Sequence, residues 1–286
     1  NSGGGSGGNR VVPSHLWTWV SGSNSIDQSG LYGTKGVAAP SNVPGARNSS
    51  LSWTDSQGDM WLFGGIGNDS AGNISYLNDL WRWDGSNWTW VSGSDTVDET
   101  GIYTLGGMPG ARHSAVGWVD ANDDLWLFGG YGFAAANGTP GTAGDLNDLW
   151  RWDGDIWTWI SGRNTVEQPG DYATTGALSP GARDSAASWT DSAGKFCLFG
   201  GFGHADGAQT GGLNDLWCWD NVNNGWIWIS GSRTVNDIGN YGTKGTTDPA
   251  NMPLARYSAA NWIDSNGDLW LFGGFGSDAI SPVGEL

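Results

Sequence analysis

The sequence predicts an all-β chain folded as a β-propeller of four-stranded antiparallel blades. Three observations predict it. One residue pattern recurs four times along the 286 residues. Each recurrence contains short runs with the two-residue period of a strand, and no run of ten or more residues has helical periodicity. The recurrence is marked by a Gly-Gly pair whose first member falls at Gly64, Gly129, Gly200 and Gly273, giving spacings of 65, 71 and 73 residues. Units of this kind cannot bury an apolar face alone and must stack on their neighbours.

The second unit shows the elements in order. Pro109-Gly110-Ala111-Arg112 leads into a first strand-like run, Ser114 to Val119, and the polar turn Asp120-Ala121-Asn122-Asp123 follows. Leu125 to Phe128 is the second run, ended by Gly129-Gly130. Asn147 to Trp152 is the third; the Asp153-Gly154 after it is a strong hairpin signal. Trp157 to Ile160 is the fourth, and the pairs Trp150/Trp152 and Trp157/Trp159 alternate as strand residues do. Four short antiparallel strands make one propeller blade.

Three units are complete. The chain opens with a lone fourth-strand sequence, Trp17-Thr18-Trp19-Val20-Ser21-Gly22, and closes with Leu271-Phe272-Gly273-Gly274 and a loop. These halves are expected to combine into one blade and close a ring of four blades, with Asn9 to Pro13 as a degenerate third strand. A piece of a larger ring, or blades shared between chains by self-assembly through the terminal strands, stays open. Residues 1–10 read as a flexible Gly/Ser-rich leader, and 11–286 as a single propeller domain.

Composition narrows function. The formal charge is −17 with 12 Lys plus Arg, so nucleic acid and anionic membrane surfaces are disfavoured as partners. No apolar run approaches the length of a membrane-spanning helix, so membrane insertion is not expected. Five sequons, at Asn48, Asn68, Asn73, Asn87 and Asn137, are near chance for a chain this rich in Asn, Ser and Thr.

The Gly-Gly doublet after an apolar strand, followed by a Leu-Trp strand, a turn and a second Trp strand, resembles the kelch repeat. Galactose-oxidase-like propellers share that blade. The resemblance covers residues 11 to 286 and implies a fold rather than a task, since such propellers serve many functions. The units here are longer than a usual kelch unit, mainly in segments such as Ser92 to Arg112. Copper chemistry of the galactose oxidase type would need two His, Tyr ligands and a Cys linked to Tyr. His15, His113 and His204 occupy unrelated repeat positions, and neither Cys lies beside a Tyr in a recognisable motif. That reading is disfavoured, and no metal or cofactor is expected.

All 21 tryptophans fall on repeat positions, which points to burial between blades rather than to a ligand platform. Arg47, Arg112, Arg183 and Arg256 recur just before the first strand of each unit. They could ring the channel mouth and bind an anion, or each could pair with a repeated carboxylate. Asp79, Asp148 and Asp215 of the Asn-Asp-Leu-Trp motif are the natural partners. Turns such as Asp55 to Asp59 and Asp264 to Asp268 resemble the start of a calcium loop but lack the distal Glu. The loop acids Asp69, Asp145 and Asp278 leave calcium elsewhere open. In the third unit alone, Cys197 replaces a repeated Trp and Cys218 a repeated Arg, on strands expected to be neighbours. A disulfide, which would imply an oxidising compartment, and two separate buried thiols are both open.

Strands are nearly identical between units, whereas residues 66–77, 131–146, 202–213 and 275–286 vary. A constant scaffold with variable loops on one face is the layout of a recognition surface. The expected function is a non-catalytic extracellular or cell-surface module that binds protein or glycan. A structural subunit of a surface layer or appendage is the alternative.

Overall fold

The computed structural model describes residues 17–135, 141–173, 178–191, 194–276 and 284–285. Residues 1–10, the segment Asn9 to Pro13 and Asp278 lie outside the described residues. Among the described residues there is no helix, and four antiparallel β units are arranged as a four-bladed propeller. No helix is long and apolar enough to cross a membrane.

The first blade sets the plan. Arg47–Asn48 and Leu51–Thr54 both pair with the long strand Met60–Asn68. That strand pairs with Ile74–Trp83, which pairs with Trp88–Ser92. The third blade repeats the plan with Arg183–Asp184, Ala187–Thr190, Phe196–His204, Thr210–Asp220 and Gly225–Ser230. The second keeps the order but splits the long strands, into Leu125–Phe128 with Tyr131–Gly132, and Gly144–Asp145 with Leu149–Trp152.

The Gly-Gly doublet explains how blades join. Register shifts at the doublet in the first and third blades, and both of its glycines have positive φ, 62° at Gly64 and 99° at Gly65. The next blade then comes close. A Cβ on Gly64 would lie 2.7 Å from the Arg112 carbonyl oxygen, and one on Gly200 would lie 2.6 Å from that of Arg256. A non-glycine residue would therefore be strained in backbone and crowded by its neighbour. A second link runs through left-handed serines, each with φ near 53°. Ser114 N–H donates to Ser49 O at 2.9 Å, Ser185 to Ser114 at 3.0 Å and Ser258 to Ser185 at 2.8 Å.

The core lies between blades. Trp118 of the second blade stacks on Phe196 of the third at 5.1 Å, and Phe63 of the first meets Trp157 of the second at 5.5 Å. Trp81, Trp150 and Trp217 are fully buried. Aromatic area removed from water in this way is the main cohesive force.

The fourth blade differs from expectation. It contains Arg256–Tyr257, Ala260–Ile263, Leu269–Phe272, Phe275–Gly276 and Gly284–Glu285. The segment Trp17 to Val20, expected to complete it, carries no strand, and Trp17 is 100% exposed. Trp19 and Val20 are likewise exposed, at 67 and 68%, so this segment packs on no blade among the described residues. The junction back to the first blade also lacks the contacts of the other three. Gly273 has nothing within 4 Å of a built Cβ, and Ser49 makes no matching bond to Ser258 among the described residues. Trp262 and Trp270, paired across the strands, are therefore about half exposed.

Candidate functional site at the channel mouth

Beneath the mouth, each of the first three blades holds one buried polar cluster. In the second blade Arg112 Nη1 lies 2.6 Å from Asp148 Oδ1, and Nη2 lies 2.9 Å from Oδ2. Arg112 also donates to the carbonyls of Gly110 and Gly129, both at 3.0 Å. Asp148 Oδ2 accepts two further bonds, from the Tyr103 hydroxyl and from Trp150 Nε1, both at 2.6 Å. Arg47, Asp79, Tyr32 and Trp81 repeat this arrangement, as do Arg183, Asp215, Tyr172 and Trp217. Burial and then the adjacent carboxylate push the phenol of Tyr103 far above its ordinary range, so it stays a donor. Four of the five N–H donors of each of these arginines are spent inside the blade, and their side chains are only 0–6% exposed.

The fourth arginine departs from the set. Arg256 is buried and donates to Leu254 O, to Gly273 O at 2.8 Å and to the Tyr241 hydroxyl. Among the described residues no carboxylate reaches it. The tyrosines of these clusters were not singled out from the sequence, although a signal was there. Gly30-Leu31-Tyr32, Gly101-Ile102-Tyr103, Gly170-Asp171-Tyr172 and Gly239-Asn240-Tyr241 recur in the long connections ahead of each Arg.

Cys197 and Cys218 form a disulfide between directly opposed positions of the third blade. The corresponding pairs are Trp61 opposite Arg82 and Trp126 opposite Arg151, where the guanidinium lies over the indole at 5.8 and 6.0 Å. The covalent bridge thus stands where the first and second blades place a cation–π contact.

On the long-loop side the residues after each Arg are Asn48, His113, Asp184 and Tyr257. Partly exposed aromatic rings gather around two of them, His113 and Tyr257. Tyr76 lies 5.1 Å from His113, 6.1 Å from Tyr131 and 5.8 Å from Phe133. Phe202 meets Tyr257 at 5.3 Å, and Phe275 stacks on Tyr257 at 5.4 Å.

At the junction of the second and third blades this mouth turns acidic. Asp145 and His204 are buried, while Glu167 is exposed. The Asp145 N–H donates to Glu167 Oε1 at 2.9 Å, and Glu167 Oε2 lies 2.5 Å from His204 Nε2. One ligand atom from each of Asp145, Glu167 and His204 falls within 4.8 Å of the others, so this trio could hold a metal ion. Burial, and then the charges of Asp184 and Glu167, pushes the Asp145 carboxyl up to about 8. Burial likewise raises Asp184 and lowers His113, the latter opposed by the Asp184 charge.

The calcium-like turns bind themselves. Asp55 accepts from the backbone of Gln57 and Asp59 and from Trp61 Nε1, and Asp264 does the same with Asn266, Asp268 and Trp270. Asp69 caps its own loop through Ala71 and Asn73. Of the residues considered for copper, His15 lies outside the described residues, and both thiols are consumed in the disulfide.

No family model matches the chain, and no curated protein matches it.

Proposed function

We propose that this protein is a non-catalytic interaction module, extracellular or at a cell surface, that binds a protein or glycan at the channel mouth. Two groups of partly exposed aromatic rings, Tyr76 with Tyr131 and Phe133, and Phe202 with Tyr257 and Phe275, carry this reading. These rings sit where the repeats differ, above a scaffold that hardly changes. Rigid aromatic side chains give large contact area at low entropic cost. The blades are read as kelch-type, on their Gly-Gly and Leu-Trp motifs and on the strand order they adopt. The disulfide favours an oxidising compartment. The net charge of −17 favours neither nucleic acid nor an anionic membrane as partner.

The test is Tyr76→Ala with Tyr131→Ala, screened on a glycan array and against candidate protein ligands beside the wild type. Binding should fall at least tenfold with the urea midpoint little changed. Wild-type binding kept by the double variant would move the site away from the mouth.

The exposed face of the fourth blade favours a second reading, a structural subunit that assembles through that edge. Trp262, Trp270 and Phe272 present apolar surface at 47, 50 and 71% exposure. A monomeric mass by light scattering at high protein concentration would count against it.

A further inference from the structure

We propose that Asp145, Glu167 and His204, with Asp184 beside them, form a binding site for one divalent transition-metal ion of the Zn²⁺ or Mn²⁺ class. The inference stands on this cluster alone and does not depend on what the aromatic mouth recognises.

The ligand atoms already lie within 4.8 Å of one another. A tetrahedral ion with bonds of about 2.0–2.2 Å would need them roughly 3.4 Å apart, so small side-chain rotations suffice. Asp145 is 3% exposed and its Oδ1 has no hydrogen-bond partner. The Asp184 carboxylate lies within side-chain reach of it. An imidazole among carboxylates suits zinc or manganese rather than calcium or magnesium, which prefer oxygen throughout.

The scaffold does not require an acid at 145 or an imidazole at 204, and at 167 it requires only a side-chain acceptor. His204 occupies the repeat position of Asn68 and Phe133, and each of the three donates its backbone N–H to an alanine carbonyl of the lead-in segment. Asp145 stands where Tyr76 and Gly212 stand, with the same strand pairing. Glu167 takes the place of Asp98 and Asn236, and all three side chains accept the same type of backbone N–H bond. Among the described residues, only this junction brings three metal-ligating side chains within reach of one ion.

The experiment is equilibrium dialysis of the chelator-treated full chain against Zn²⁺ alone, and in parallel Mn²⁺ alone. Millimolar Mg²⁺ in both would suppress diffuse binding to the acidic surface. One ion per chain is expected, with a metal-dependent rise in melting temperature. Glu167→Gln and His204→Phe should each weaken binding at least tenfold and abolish that rise. His204→Phe introduces the residue that the second blade already accommodates, and Glu167 is exposed, so both variants should fold. If neither metal binds stoichiometrically, the proposal fails. It fails equally if both variants keep wild-type affinity within twofold.

Discussion

Replacing Asp148 by Asn tests the account of the scaffold most directly. The carboxylate is fully buried and accepts four hydrogen bonds, two from Arg112 and one each from Tyr103 and Trp150. Asn keeps the shape but removes the charge and turns one acceptor into a donor. Breaking a buried ion pair by removing one partner costs about 3–5 kcal/mol, because the other charge is left uncompensated. Each orphaned donor adds about 1–3 kcal/mol in isolation. These costs overlap, since all belong to one carboxylate, so a net loss of about 4–5 kcal/mol is expected. Urea unfolding followed by tryptophan fluorescence would measure it. The double variant Asp148→Leu with Arg112→Met should lose much less than the sum of its single variants, because an apolar pair leaves no stranded charge. A loss below about 1 kcal/mol for Asp148→Asn, or strict additivity in the double variant, would refute the idea that these clusters hold the blades in register.

Other outcomes follow from the same structure. The double variant Cys197→Ser with Cys218→Ser should lose about 3 kcal/mol by loop-closure entropy for its sequence separation of 21, read as a lower urea midpoint. A midpoint unchanged within error would show that the bridge adds nothing the strand pairing does not already fix. Trp17→Ser with Trp19→Ser should leave melting temperature and mass per particle unchanged, because the two side chains are 100 and 67% exposed; association of the variant would show instead that this segment guards an edge. Asp145 supplies a pH dependence. Its folded pKa is raised to about 8 whereas an unfolded Asp ionises near 4, so the folded state binds more protons between those values. Stability of the metal-free protein should therefore fall as pH climbs from about 4 to about 8. Asp145→Asn should flatten that slope, and an equal slope in both proteins would remove Asp145 as its source.

The blade plan was readable because its determinants are local and repeated. The Gly-Gly doublet, alternating Trp pairs and Asp-Gly turn each leave a mark at fixed spacing, and pairing followed from them. The Arg with Asp pairing was legible for the same reason, since both residues recur. Tyr32, Tyr103 and Tyr172 were harder to see: they lie in connections of unequal length, and only the folded chain brings them onto the carboxylates. The opposition of Cys197 and Cys218 depended on register, which sequence leaves free by one residue. The expected completion of the fourth blade by Trp17 to Val20 went astray because a strand-like sequence does not say which neighbour it will find. Asp145 was noted only as a loop acid, because what makes it unusual is burial against Asp184 and Glu167, residues distant in sequence.

The division of labour within each repeat tells where function can reside. Tyr76, Asp145 and Gly212 share one strand position, opposite Ile66, Tyr131 and Phe202 respectively. The backbone N–H at that position is satisfied by the side chain of Asp98, Glu167 or Asn236, each held at positive φ. Below it, the buried Arg with Asp clusters fix the blade without using the mouth. A residue at that position therefore owes the fold nothing beyond its main chain, and in three blades it has become a ring, an acid and a glycine. Three chemistries on one backbone leave this position, rather than the tryptophans, free to set specificity under the proposed binding role.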